Sequence, residues 1–227
     1  VLNIVTGDGD TGAALVAHPG VDKIAFTGST AVGRKIRQAT AGTGKALTLE
    51  LGGKSPYIVF DDADIDSAVE GLIDAIWFNQ GQVCCAGSRL YVQKKMFDRV
   101  VSEVGKIAEG MTLGGGFDAS AQMGPLVSQE QLDRVCSYID IGRSSGAEVV
   151  AGGGALDRPG TFYAPTLVTG LKESAPLVCE EQFGPALPVQ VWRDLDEVVH
   201  VANDTDFGLG ASVWSSDPDR ATAVAQR

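Results

Sequence analysis

Two glycine-bounded segments of the chain contain residue types that could do covalent chemistry. Residues 49–56 (Leu-Glu-Leu-Gly-Gly-Lys-Ser-Pro) include Glu50, and residues 81–89 (Gly-Gln-Val-Cys-Cys-Ala-Gly-Ser-Arg) include Cys84 and Cys85. A thiolate can attack an electrophilic carbon, and a carboxylate can deprotonate the water that later releases the product. The pairing indicates covalent chemistry through sulfur, followed by activation of a water.

Each of these residues also has an ordinary structural interpretation. Most free cysteines are small buried hydrophobic residues. Cys84 and Cys85, however, follow an apolar helical stripe and precede Ala-Gly-Ser, which predicts a tight turn whose backbone N–H groups can face a substrate oxygen. No histidine is nearby in sequence to serve as a base, which argues against a papain-like protease. Glu50 alternates with apolar neighbours, as a solvated surface glutamate does, but a carboxylate at the carboxyl end of a strand can also face a ligand crevice.

Two further segments could bind a ligand. At Gly28 and Ser29 a predicted strand turns into a predicted helix, and the free N–H groups of a helix start favour a phosphate. An ordinary serine cap is the more frequent interpretation of this motif taken alone. Residues 180–185 (Glu-Glu-Gln-Phe-Gly-Pro) fit an ordinary loop. They also fit a site where a carboxylate accepts ribose hydroxyls and an aromatic ring packs beside a flat ligand.

Composition excludes several classes of partner. The 227 residues are 44% hydrophobic and 21% charged, as in soluble globular proteins, and the formal net charge is -11. This acidic balance argues against nucleic acid and anionic membrane surfaces as partners. No apolar run is long enough to span a bilayer, and the start of the chain lacks a basic leader. Four cysteines without a disulfide spacing indicate a reducing compartment, and two isolated histidines predict no metal site.

Strand and helix patterns alternate along the chain. The predicted strands are residues 1–5, 23–26 (short and buried), 47–51, 57–60, 90–93, 148–150 and 211–214. The predicted helices are residues 30–40, 65–77, 97–108, 132–139 and 195–202, and a last one that starts at Pro218 and is still running at Arg227. Asp64, Asp194 and Asp217 are expected N-caps. Alternation of this kind predicts an α/β fold with a largely parallel sheet. A start on a strand and an end within a helix suggest a fragment of a longer polypeptide.

Taken in order, four segments resemble the aldehyde dehydrogenase superfamily. They are residues 26–30 (Phe-Thr-Gly-Ser-Thr), residues 49–56, residues 79–84 (Asn-Gln-Gly-Gln-Val-Cys) and residues 180–185. Their order and spacing match the family, and the similarity extends over essentially the whole chain. The resemblance implies a Rossmann-like cofactor domain, of which residues 1–52 would be the C-terminal part. Residues 53–227 would then be most of an α/β catalytic domain.

The resemblance also implies a role for each matching position. Cys84 corresponds to the nucleophile, with Cys85 as its neighbour, and Glu50 corresponds to the general base. The positions matching cofactor contacts are Gly28, Ser29, Val32 and Gly33 at the pyrophosphate, Leu51 and Gly52 near the nicotinamide, and Glu181 and Phe183 at the nicotinamide ribose. Gln131 and Arg134 match a helix that can reach the ribose in some members.

The mechanism implied by this resemblance oxidises an aldehyde to a carboxylic acid. The Cys84 thiolate attacks the aldehyde to give a thiohemiacetal, whose oxyanion is held by the Cys84 N–H and by an asparagine expected upstream of Val1. Hydride passes to the nicotinamide and leaves a thioester, which a water deprotonated by Glu50 hydrolyses. The presence of Glu50 matches the hydrolysing members, because members that transfer the acyl group to coenzyme A typically lack this base.

NAD is the expected cofactor, because most relatives with these motifs use it. The residues that separate NAD from NADP would lie upstream of the chain, so NADP stays open. The expected parent is a cytoplasmic homodimer or homotetramer acting on a small-molecule aldehyde, and the fragment alone is expected to be inactive. Two alternatives remain: a cysteine hydrolase using the same two residues without hydride transfer, and a non-catalytic relative.

Overall fold

A computed structural model describes residues 1–227, which form two compact units, Val1–Gly52 and Gly53–Arg227. The first unit contains helix α1 (Gly9–Ala17), strand β1 (Lys23–Thr27), helix α2 (Thr30–Ala39) and strand β2 (Ala46–Glu50). The two strands are parallel, with Thr27 in register with Glu50, and α2 connects them. The carboxyl ends of both strands and the start of α2 therefore lie at the same edge of this small sheet.

Several details of the first unit differ from the sequence-based predictions. The predicted strand at residues 1–5 is wrong: Leu2 and Ile4 are exposed, and the segment is neither strand nor helix. Apolar residues form a strand only where a neighbouring strand pairs with them, and β1 and β2 pair only with each other. β1 is present but not buried, since exposed and half-buried residues alternate along it. Helix α1 was not predicted from the sequence; Asp8 caps it by accepting from the Asp10 N–H at 3.1 Å.

The second unit alternates strands and helices. Its strands are β3 (Pro56–Val59), β4 (Arg89–Gln93), β5 (Glu148–Ala151), β6 (Thr166–Thr169), β7 (Ala186–Trp192) and β8 (Ser212–Trp214). Its helices are α3 (Ile65–Trp77), α4 (Phe97–Gly110), α5 (Gln129–Ser144), α6 (Pro176–Cys179), α7 (Leu195–Asn203) and α8 (Pro218–Ala225), with short 3₁₀ turns at Phe78–Gly81 and Lys94–Met96. Asp64, Asp194 and Asp217 cap α3, α7 and α8, as predicted.

One six-stranded sheet runs through this unit in the order β5-β6-β7-β4-β3-β8. All neighbouring pairs are parallel except β5 with β6, at one edge. The predicted α/β fold with a largely parallel sheet is therefore confirmed. No helix in residues 1–227 is both long enough and apolar enough to cross a membrane.

Both faces of the sheet are covered, and β4 shows how. Leu90 and Val92 belong to one hydrophobic cluster, in which the sheet packs against α3 and α4. Tyr91, between them, belongs to another, which includes Val198 of α7 and Val224 of α8. Successive side chains of a strand point to opposite faces, so helices on both sides bury the whole strand.

β6 and β7 were not predicted from the sequence, although β7 lies between β6 and β4 near the middle of the sheet. β7 contains Pro188, and a proline normally indicates an edge strand or no strand, because it cannot donate to the ladder. Here Pro188 is in register with Val168 of β6. The last helix ends at Ala225 and does not continue to Arg227. Gln226 is its C-cap, and the Arg227 N–H donates to the Val224 carbonyl, three residues back, at 3.1 Å, where a continuing α-helix would use the carbonyl four residues back.

Candidate active site

Glu50 is the last residue of β2, and its side chain is exposed. Its backbone carbonyl accepts a hydrogen bond from the Gly28 N–H at 3.0 Å. This bond holds the residue that precedes the α2 cap beside the end of β2. Within the first unit, the carboxylate and the start of α2 therefore lie at the same edge.

The glycine–serine turn at the start of α2 has both a structural and a binding capacity. Ser29 caps the helix, and its Oγ accepts from the Val32 N–H at 3.3 Å. A Cβ atom at Gly28 would lie 2.5 Å from the ring of Phe26, so a larger residue there would have to displace that ring. The serine cap accounts for one of the N–H groups at the helix start, and the exposed turn leaves others for an anion.

Gly33 and Leu51 contact each other inside the first unit. Gly33 is buried in α2, and a Cβ atom there would lie 2.5 Å from Leu51 Cδ2. The glycine thus allows the residue after β2 to pack against the helix. Gly52, which follows, is half-buried.

The Cys84 segment of the second unit begins with three consecutive residues in left-handed backbone conformation. Asn79, Gln80 and Gly81 have φ values of 49°, 59° and 71°, a region that residues with side chains seldom adopt. A Cβ atom at Gly81 would lie 2.3 Å from the Gly184 carbonyl oxygen. Strained backbone of this kind is often found beside functional groups.

Cys84 is half-buried in the turn that follows, and Cys85 is exposed. The Ala86 N–H closes this turn by donating to the Val83 carbonyl at 3.1 Å. The Cys84 N–H donates to no other group of the chain, so it is available to a substrate oxyanion. All four cysteines are free thiols, and no group of three or more His, Cys, Asp or Glu side chains could hold a metal ion.

Gly53 connects the Cys84 turn to Glu181. On one side, a Cβ atom at position 53 would lie 2.1 Å from the Cys84 carbonyl oxygen. On the other side, the Gly53 N–H donates to Glu181 Oε1 at 3.1 Å. The backbone of this one residue therefore contacts both the cysteine and the carboxylate, and no sequence pattern predicted these contacts.

Helix α5 holds the loop that contains Glu181 and Phe183. The Gln131 Nε2 donates to the Gln182 and Phe183 carbonyls at 2.9 and 2.7 Å, and an Arg134 Nη donates to the Glu181 carbonyl at 2.7 Å. Phe183 has a φ of 55° and a partly exposed ring. In this structure Gln131 and Arg134 position the loop through its backbone.

Lys54 is fully buried behind this loop. Its ammonium donates to Gln182 Oε1, and its backbone carbonyl accepts from Arg89 Nε at 2.7 Å. Burial, reinforced by the nearby Arg89 guanidinium, lowers the pKa of Lys54 to about 7. A lysine within an otherwise uncharged segment (Leu-Gly-Gly-Lys-Ser-Pro-Tyr-Ile-Val) was the sequence signal that could have identified it.

The contact at Gly53 predicts that an added methyl group is poorly tolerated there. Gly53→Ala should lower the free energy of unfolding by about 2 kcal/mol, because the methyl meets a backbone carbonyl that cannot rotate away. Gly116→Ala is the matched control, since a Cβ at position 116 has no atom within 4 Å. Urea titrations of the two variants should differ, and equal free energies of unfolding would show that Gly53 is not confined.

The lowered pKa of Lys54 predicts a specific pH dependence of stability. Between pH 7 and its usual pKa of 10.5, the unfolded chain holds a proton on this lysine that the folded chain has released, so stability rises with pH. The rise contributed by this residue is at most about 1.4 kcal/mol per pH unit. Urea titrations from pH 7 to 9 should show a shallower rise for Lys54→Met. Exposed Lys172→Met should keep the full rise, and an undiminished rise in Lys54→Met would contradict the assignment.

Comparison with known proteins identifies the family to which the chain is similar. The family model described as "Aldehyde dehydrogenase family" matches residues 1–227. An aldehyde dehydrogenase of Emericella nidulans is 44% identical over 227 residues, covering 99% of the chain and 46% of that protein. The human mitochondrial aldehyde dehydrogenase is 42% identical over 228 residues, covering 100% of the chain and 44% of that protein.

Solved structures agree. The structure of an aldehyde dehydrogenase from Bacillus cereus, described as an NAD+ complex, has a TM-score of 0.92 and 42% identity. The match covers 95% of the chain and 44% of the Bacillus cereus chain. The chain thus spans a little under half the length of the relatives it matches. Because the family model matches from the first residue to the last, the chain belongs to the aldehyde dehydrogenase family.

Proposed function

We propose that the gene product containing this chain oxidises an aldehyde to a carboxylic acid through a covalent intermediate on Cys84, with NAD+ as the hydride acceptor. The observation that carries the proposal is the position of Gly53, whose backbone contacts both the Cys84 carbonyl and the Glu181 carboxylate. A nucleophilic cysteine and a group suited to a ribose are thereby held on either side of one residue. On this proposal, residues 53–227 are the catalytic domain, and residues 1–52 are the C-terminal part of the cofactor domain.

The residues present fit a nicotinamide dinucleotide. Glu181 uses one carboxylate oxygen for the Gly53 N–H, and its other oxygen has no partner in the chain, so it can accept a ribose hydroxyl. The partly exposed Phe183 ring can pack beside the cofactor. In the first unit, Gly28 and the Ser29-capped start of α2 can receive the pyrophosphate. NAD+ is preferred because the Bacillus cereus relative is described as an NAD+ complex, and NADP+ remains the alternative acceptor.

The Cys84 thiolate begins the reaction by attacking the aldehyde carbon, which forms a C–S bond and an oxyanion. The Cys84 N–H has no other partner, so it can donate to this oxyanion. When bound, the nicotinamide supplies a hydride acceptor. Loss of hydride from the carbon leaves a thioester on Cys84.

The Glu50 carboxylate completes the reaction by taking a proton from a water that attacks the thioester carbonyl. The C–S bond breaks, the carboxylic acid leaves, and the cysteine is ready for another turnover. Glu50 is exposed at the end of β2, which gives it access to water. Ester hydrolysis by the same two residues would need neither a hydride acceptor nor Glu181, so cofactor dependence separates oxidation from simple hydrolysis.

Steady-state assays of the complete gene product test these roles. With a panel of aldehydes and NAD+, absorbance at 340 nm should report NADH formation, and Cys84→Ala should lower the rate by more than about a thousandfold. Glu50→Gln should lower it by about a hundredfold or more, because a general base contributes that much. Cys85→Ala is the matched control and should stay within about twofold of wild type.

Either of two results would overturn this proposal. One is loss of activity in Cys85→Ala with activity retained in Cys84→Ala, which would identify the other sulfur as the nucleophile. The other is cofactor-independent hydrolysis of an ester by a protein that forms no NADH or NADPH from any aldehyde, which would favour a hydrolase.

A further inference from the structure

The buried ammonium of Lys54 has only one hydrogen-bond partner. Its residue is 1% exposed, it makes no salt bridge, and its Nζ donates to Gln182 Oε1. Gln182 is equally buried. Burying a charged or strongly polar group without full compensation is costly, and apolar residues of similar volume would often be at least as stable. The pair therefore calls for an explanation other than stability.

Both ends of the Gln182 side chain are fixed. Its Oε1 accepts from Lys54, and its Nε2 donates to the Ala186 carbonyl at 2.6 Å. Its backbone carbonyl accepts from Gln131 Nε2 at 2.9 Å. Because the amide is held at both ends, Gln182 has a single orientation, and the backbone on either side of it is constrained.

This pair lies directly beside the hydrogen bond at Gly53. Residues 53 and 54 are consecutive, as are residues 181 and 182, and each residue of the first pair donates to one of the second. The bond from the Gly53 N–H reaches the Glu181 carboxylate, and the bond from the Lys54 ammonium fixes the next residue. The two bonds therefore join consecutive residues on one side to the Glu181 carboxylate and its neighbour on the other.

We propose that Lys54 is a positioning residue for cofactor binding, which acts through Gln182 to hold the Glu181 carboxylate in place for a ribose. The inference rests on the proposed function, since it requires Glu181 to bind the cofactor. The Lys54 ammonium donates to Gln182 and makes no hydrogen bond to the Cys84 thiol. Its removal should therefore affect cofactor affinity selectively and leave the intrinsic reactivity of Cys84 unchanged.

A double-mutant cycle on the complete gene product tests the inference, with NAD+ as the probe and calorimetry as the measurement. Lys54→Met should raise the Kd for NAD+ by about tenfold, and Gln182→Met by at least as much, because it also removes the bond to the Ala186 carbonyl. The double variant should bind no more weakly than Gln182→Met alone, because both changes remove the same bond between Lys54 and Gln182. The rate of Cys84 alkylation by iodoacetamide without cofactor should stay within about twofold of wild type in all three. Exposed Lys172→Met is the control and should bind NAD+ like wild type.

The results separate this inference from the proposed function. A wild-type protein that binds neither NAD+ nor NADP+ overturns the proposed function itself. A wild-type protein that binds NAD+, with an unchanged Kd in folded Lys54→Met or Gln182→Met, overturns only the role of Lys54. So does a double variant whose loss is the product of the two single losses. Should Lys54→Met fail to fold by circular dichroism, Gln182→Met alone tests the inference, with a Kd raised by about tenfold or more expected and an unchanged Kd overturning the role of Lys54.

Discussion

The absence of a side chain at residue 53 is the constraint on which the proposed site depends. The Cys84 carbonyl oxygen occupies the space that a Cβ atom would fill, at 2.1 Å, and the N–H of the same glycine is bonded to the Glu181 carboxylate. A larger residue would push the cysteine turn away, and a proline would also remove the donor. One backbone unit thereby sets the separation between the thiol turn and the carboxylate, and nearby contacts support it. Gly81 fits against the Gly184 carbonyl in a similar way, without room for a side chain.

Two cationic side chains, Lys54 and Arg89, are buried near the candidate site. Arg89, at the start of β4, is 2% exposed and donates to the Lys54 carbonyl and to the Val201 and Ala202 carbonyls at the end of α7. Two buried cations near each other disfavour protonation, which is part of why the pKa of Lys54 falls to about 7. Such an arrangement lowers stability relative to an apolar core. The Arg89 hydrogen bonds also join the Lys54 backbone, next to Gly53, to β4 and to the end of α7. Rigid support of this kind is what a site with exacting geometry requires.

The sequence predicted the parallel α/β fold because hydrophobic periodicity is a local property. The stripe from Ile65 to Trp77 appears as α3 with its Asp64 cap. Hydrophobic periodicity could not predict β7, whose proline argues against a central strand. Nor could it predict the absence of a strand at residues 1–5, because strand pairing depends on distant partners. The residues of the candidate site likewise fall into those that the sequence indicates and those that it does not. Cys84 and Glu50 were recognisable by residue type and motif. Gly53 and Lys54 contact residues 181 and 182, 128 positions away. The uncharged segment around Lys54 marks that lysine as unusual, but no local pattern predicts either contact.

We propose that Cys84 carries a covalent acyl intermediate, and mass spectrometry can detect that intermediate on the protein. The Glu50→Gln variant of the complete gene product would be mixed with an aldehyde and NAD+, quenched in acid and digested. We expect the peptide containing residues 84 and 85 to gain the mass of the acyl group, and fragmentation to assign the added mass to Cys84. An acyl group on Cys85, or NADH formation with no acylated cysteine at any time, would contradict it.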